Sequence, residues 1–209
     1  MARLRSGILG QLRGKVAGVV GSQWKDKNYI REYVLPANPN TLSQQAQRSK
    51  MTKAVAFAKP LVGPIFNPYT DKFQKSMSGF NRFIKSNIVI FDATPDLTAI
   101  VITEGKLSPI LTTDTVYNTA TGDCTVTWTE NKGNNGASDD MIYGAIYHEP
   151  TGIWYAMPME KERSDLSILY VLPTGLTATD LSSYTFAIQY SGTLVNMISN
   201  SDYQVGEAP

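Results

Sequence analysis

The sequence predicts an α+β protein with an N-terminal β-hairpin arm and a helical hairpin, followed by an antiparallel β-sandwich. Three observations carry this. Glycines recur through residues 7–21 and a period-2 run, "YIREYV", follows them. Helix formers and helix-start signals fill the next fifty residues. From about Phe91 those signals vanish, and short alternating runs separated by turn residues recur. The expected division is 1–90, a basic arm plus two helices, and 91–209, an acidic β-sandwich.

In the arm, "KVAGVVGSQW" places apolar and small residues from Val16 to Trp24, and "KDKN" (25–28) reads as a polar turn. Tyr29, Arg31 and Tyr33 then alternate with Ile30, Glu32 and Val34, the pattern of a strand. Gly7, Gly10, Gly14, Gly18 and Gly21 suit bends or close backbone approach. A two-stranded hairpin is marginal by itself, so the arm is expected to dock on something.

Two stretches then repeat one pattern, Asn38-Pro39-Asn40-Thr41 and Asn67-Pro68-Tyr69-Thr70. The residue before proline avoids the α region, and a following Thr supplies an N-cap oxygen. Thr41 is expected to cap a first helix, with Gln44 completing a capping box. Pro60 and Gly63-Pro64 are expected to end that helix. Thr70 is expected to cap a second, along which Phe73, Met77, Phe80 and Ile84 form an apolar stripe continued by Ile88.

Strand-like runs follow at 97–103, 115–119, 124–130, 141–148, 152–158, 167–173 and 184–190, with a last run near 197–205. Regular short strands indicate a sandwich or a barrel. Alternation puts Tyr184, Phe186, Ile188 and Tyr190 on one face, and Cys124, Val126 and Trp128 on one face of their own strand.

Within "LPTGLTATDLSSYTFAIQY", Leu176, Leu181 and Tyr184 resemble the Leu-rich corner and following Tyr of a fibronectin type III or immunoglobulin-like domain. Trp128 resembles its early buried Trp. The likeness covers roughly 106–205 and implies an immunoglobulin-like sandwich; it implies no activity. A sharper resemblance lies in Gly14-Lys15-Val16, Trp24-Lys25, Tyr29-Ile30-Arg31 and Asn38-Pro39-Asn40-Thr41 with Gln44 and Arg48. These residues are similar to an uncharacterised family, a domain of unknown function seen mainly in Bacteroidetes and their phages. Asp26 departs from the Gly that often follows Trp-Lys there. The phage association implies virion structure.

A net charge of +1 hides an asymmetry. Residues 1–86 hold 15 basic and 3 acidic side chains, a net of +12, and residues 87–209 hold 4 basic and 15 acidic, a net of −11. Nucleic acid is one partner for the basic half, and the acidic half of a neighbouring copy is another. One cysteine, Cys124, excludes an internal disulfide and a Cys-based metal cluster. One histidine, His148, excludes a multi-His site. No segment approaches the ~18 apolar residues of a membrane span. The basic start lacks an uninterrupted apolar stretch, so no signal peptide is expected and the protein belongs in a virion or the cytoplasm.

Signals for chemistry are weak. "GQLRGKV" has three residues between its glycines and Val16 where a phosphate loop needs a hydroxyl, so it reads as hairpin glycine. His148 beside Glu149-Pro150 reads as a solvated or structural side chain rather than a general base. Asp139, Asp140 and Glu130 lack calcium-loop spacing and read as a solvated loop. Glu160 and Glu162 flank Lys161 as an exposed turn, and Cys124 reads as a small buried residue. The aromatics of "GAIYHEPTGIWYAMP" read as core before they read as a carbohydrate platform.

No catalytic, cofactor or metal residue is assigned. The expected function is a non-enzymatic structural protein of an assembly, a phage virion component that docks on neighbouring subunits and is oligomeric. The expected interface is Arg3, Arg5, Arg13, Lys15, Trp24, Lys25, Tyr29 and Arg31. A glycan- or cell-surface-binding module is the alternative, and nucleic-acid binding a second.

Overall fold

The structure, a computed structural model, describes residues 2–4, 14–24, 27–35, 37, 40–73, 77–92, 94–133 and 135–209. The chain divides into two compact units, Met1–Leu42 and Ser43–Pro209. The helices expected to accompany the arm therefore belong to the larger unit, because they pack on its sheet.

The smaller unit extends the expected hairpin to four antiparallel strands: β1 (Ala2–Leu4), β2 (Gly14–Val16), β3 (Val19–Trp24) and β4 (Lys27–Glu32). Their order is β1-β4-β3-β2. β2 turns into β3 through Ala17-Gly18, with Ala17 at φ 51°. The Tyr33 N–H closes that end by donating to Gly18 O at 2.8 Å.

In the larger unit α1 (Leu42–Ala58) begins one residue after Thr41, the expected cap position. The expected break at Pro60 and Gly63-Pro64 is absent. The chain runs on through a 3-10 turn (Lys59–Leu61), a π-helical stretch (Val62–Thr70) and α2 (Asp71–Phe73). Proline in a helix interior removes a hydrogen bond and crowds the carbonyl four residues back. The tighter and wider turns at Pro60, Pro64 and Pro68 accommodate this without ending the helix.

Thr70 is consequently not a cap. It is buried inside the helical run, and its Oγ1 donates to Phe66 O at 2.9 Å, the back-bond of a mid-helix Thr. The second helix, α3 (Gly79–Asn87), starts later, where Ser78 Oγ accepts the Asn81 N–H at 3.3 Å. That start rotates the buried face. Phe83, Ile84 and Asn87 are buried, Phe80 and Ile88 are half-buried, and Met77 is exposed. The Phe73 side chain lies outside the described residues.

The expected strand at 97–103 is also absent; Leu97–Ala99 is a 3-10 turn and the rest is loop. Side chains satisfy its backbone instead. Asn87 bonds both the N–H and the O of Val101, at 2.9 and 2.8 Å, and Ser201 Oγ accepts the Ile102 N–H at 2.9 Å.

The remaining strands are β5 (Leu111–Tyr117), β6 (Asp123–Thr129), β7 (Met141–His148), β8 (Ile153–Glu162), β9 (Ser167–Val171), β10 (Leu181–Ser191), β11 (Leu194–Ile198) and β12 (Asp202–Glu207). Their order is β8-β7-β10-β12-β5-β6-β9, with β11 also on β10. β12 joins the two layers of the sandwich: Asp202–Val205 pair antiparallel with β10, and Gly206 and Glu207 pair parallel with β5. The fold is α+β with a β-sandwich, as the alternation predicts.

Two cores flank the β7–β10 layer, so β10 is buried over its first eight residues. On one side Tyr184, Phe186 and Ile188 meet Phe57, Phe66 and Phe83 of the helices. On the other Ala187 and Leu181 meet Cys124, Val126 and Trp128. Trp154 ties helix to sheet. Its Nε1 donates to Phe57 O at 3.0 Å while its ring meets the Phe57 ring edge-on at 4.9 Å. Leu181 and Tyr184 are fully buried, and the Tyr184 hydroxyl donates to Leu97 O at 2.9 Å.

Candidate assembly interface

Strand register gathers several of the expected interface residues. Lys15 stands opposite Val20, Val20 opposite Arg31, and Ser22 opposite Tyr29. Directly opposed residues and residues two apart share a face, so Lys15, Val20, Ser22, Tyr29 and Arg31 line one side. Lys15 Nζ sits 3.5 Å from the centre of the Tyr33 ring, a cation–π contact. In the backbone ladder Arg3 pairs with Tyr29 and Trp24 with Lys27. Arg5, Arg13 and Lys25 lie outside the described residues.

The opposite face is mixed: Glu32 stands against Val19 and Asn28 against Gln23, beside small and apolar residues. Val16 stands against Val19, and Gly14 against Gly21, which in turn faces Ile30. Val16 is 55% exposed, and past the last strand Val34 and Leu35 are 70% and 76% exposed. Gly21 is the one buried residue of this unit among those described. The missed signal was the Gly/Val alternation itself, which marks one face of the sheet only once register is known.

The other candidates resolve structurally. His148 is buried, not solvated, and its Nδ1 bonds Thr151 Oγ1 at 2.7 Å. Asp140 is committed to Arg163, and Glu130 pairs with Lys132 at 3.0 Å. Hydrogen bonds from Lys132 and Ser138 hold the Glu130 carboxyl below its usual range. Among the described residues no three of His, Cys, Asp and Glu gather as a metal site. Nor is any described helix long and apolar enough to cross a membrane. Cys124 is buried, as expected, and burial pushes its thiol up to about 12.

Much of the aromatic run is core. Tyr147 and Trp154 pack against the helix-side cluster, with rings 4.8 Å apart. A cleft of about 340 Å³ opens beside them, lined by Lys53, Phe57, Phe91, Leu97, Tyr147 and Glu149. Burial, then the Glu149 charge, raises the Tyr147 hydroxyl pKa. Lys53 Nζ donates to Asp92 O at 2.8 Å.

A family model described as a family of unknown function, DUF6266, matches residues 11–201. The chain belongs to the DUF6266 family. The match starts within the arm and ends just before β12, so arm, helices and most of the sandwich are one DUF6266 unit. No curated protein matches the chain.

Proposed function

We propose that this DUF6266 protein is a non-enzymatic structural component of an assembly, docking on neighbouring copies through its basic N-terminal arm. The observation that carries the reading is the exposed pair Val16 and Val19 on one face of the arm sheet, with Lys15 and Arg31 on the other. A small sheet gains stability by covering an apolar face, and exposed apolar surface rimmed by charge marks an interaction site. Residues 1–42 hold 7 basic and 2 acidic side chains, a net of +5, and residues 43–209 hold 12 and 16, a net of −4, a difference that supplies steering between copies. The arm's resemblance to a phage-associated family supports placing that assembly in a virion. The test is solution mass. Reversing the arm charge with Lys15→Glu and Arg31→Glu lowers the mass of the full chain, and an unchanged mass rejects the reading.

A second reading is a glycan-binding module using the cleft beside Tyr147. Its aromatic wall and the Lys53 and Glu149 rim suit a sugar ring. Glycan-array binding by the full chain, lost in Tyr147→Ala, supports it. Nucleic acid is less well served, because Lys15 already occupies the Tyr33 ring on which a base would stack.

A further inference from the structure

We propose that β9 is the acceptor for the arm: an edge strand of one copy's arm sheet pairs with β9 of the next copy. This rests on the arm-docking reading and names the surface that receives it.

Three described strands of the sandwich pair on one side only, β8, β9 and β11, and β11 is set beside the helical run, with Val195 packed on the helix-side cluster. β8 ends in the charges Lys161 and Glu162, a usual means of blocking an edge. β9, "SILYV", carries neither proline nor charge. Its backbone is half-used. Trp128 N–H donates to Leu166 O at 2.9 Å, and Leu172 N–H donates to Gly122 O at 2.8 Å. Both bonds join even-numbered residues, so alternation along an antiparallel ladder turns the N–H and C=O of Ser167, Leu169 and Val171 away from β6. No described strand pairs with them there. At the same positions Leu169 is 60% and Val171 78% exposed. An open, uncharged, apolar edge is a template for strand addition.

Charge selects the occupant. β5, β6 and β9 together contain Asp114 and Asp123 and no Lys or Arg, and Asp165 lies two residues before β9. Asp123 stands opposite Val171. An acidic border favours a basic strand over a second β9. Among the described strands the arm sheet ends in β1 and β2, and residues 1–42 carry 7 basic and 2 acidic side chains, a net of +5. Arm-to-β9 contact is head-to-tail, so it propagates into a ring or filament rather than closing as a two-fold pair.

The experiment measures full-chain mass by analytical ultracentrifugation. Leu169→Pro removes one outward N–H and leaves the β6 ladder intact, since an edge strand tolerates proline where its N–H faces out. Leu169→Lys and Leu169→Glu place opposite charges at the site. Expected are loss of association in Leu169→Pro and Leu169→Lys, and retention in Leu169→Glu. Mixing Leu169→Pro chains with Lys15→Glu/Arg31→Glu chains then restores one contact and yields heterodimers. Equal loss in Leu169→Lys and Leu169→Glu with no heterodimer overturns the proposal in favour of β9 pairing with its own copy. Loss in Leu169→Lys without loss in Leu169→Pro overturns strand pairing. If the arm reversal dissociates the chain and no β9 variant does, this inference fails while the arm reading stands. If the arm reversal has no effect, both fail.

Discussion

Arg163 and Asp140 form an ion pair with both side chains fully buried: Nε and Nη2 lie 3.2 and 3.0 Å from one oxygen, Oδ2. The pair is a hub. Arg163 also donates to Ser108 O at 2.9 Å and to Asn131 O, and its own O accepts the Trp128 indole N–H at 2.9 Å. Asp140 Oδ2 further accepts the Ala137 N–H at 2.8 Å. Together they fasten the loop before β7 to the turn that delivers β9. Removing one partner leaves an uncompensated buried charge, which costs about 3–5 kcal/mol. Asp140→Ala and Arg163→Met are each expected to lose that much by urea denaturation, and the double variant less than the sum of the two.

Gly79 opens α3 against Thr70. A Cβ at Gly79 would overlap Thr70 Oγ1 and come within 2.8 Å of Thr70 Cβ. Overpacking of this kind costs about 1–3 kcal/mol. Gly79→Ala should be destabilised by that amount, and Thr70→Ala in the same chain should return part of it. Additive losses in a double-mutant cycle would refute the contact.

Ser78, not Thr70, caps α3, so Ser78→Ala should cost about 1 kcal/mol. Thr70→Ser, which keeps the back-bonding hydroxyl, should cost less than Thr70→Ala in the same denaturation assay.

The Cys124 thiol is raised from 9.0 to about 12 by burial. Its folded pKa exceeds the unfolded one, so its contribution is complete below pH 9 and falls as pH rises towards 12. Burial raises the Tyr143 and Tyr184 hydroxyls from 10.0 in the same direction. Unfolding free energy should therefore drop between pH 9 and 11, less steeply in Cys124→Ala. A profile flat over that range contradicts these burials.

On the acid side, Glu104 lies 2.8 Å from Arg82. Burial raises the Glu104 carboxyl, but hydrogen bonds from Ser86 and Arg82 outweigh it and hold the pKa below 4.5. The folded value is depressed, so this stability is present above pH 4.5 and lost as pH falls through the folded pKa. The pair is about one-third exposed, so Glu104→Gln should cost no more than about 1 kcal/mol at neutral pH.

Strands with alternating burial were legible in the sequence. Met141–His148 forms where the apolar run predicts it, and Cys124, Val126 and Trp128 do share a buried face. "LTAIVIT" misleads because it imitates a strand while its backbone bonds go to Asn87 and Ser201. Thr70 misleads because an Asn-Pro-x-Thr signal reports local preference, and the helix-side core outweighs it by holding Ile65 and Phe66 inside. The basic face of the arm was legible from charge. The β9 edge was not, because which strand ends a sheet depends on pairings 40 or more residues apart, such as Thr125 with Leu169.

The most direct test of the account is light scattering on the full chain beside the Lys15→Glu/Arg31→Glu variant. The account predicts a wild-type mass well above the 23.0 kDa of one chain, falling to one chain in the variant and in high salt. Equal masses for the two proteins would contradict it.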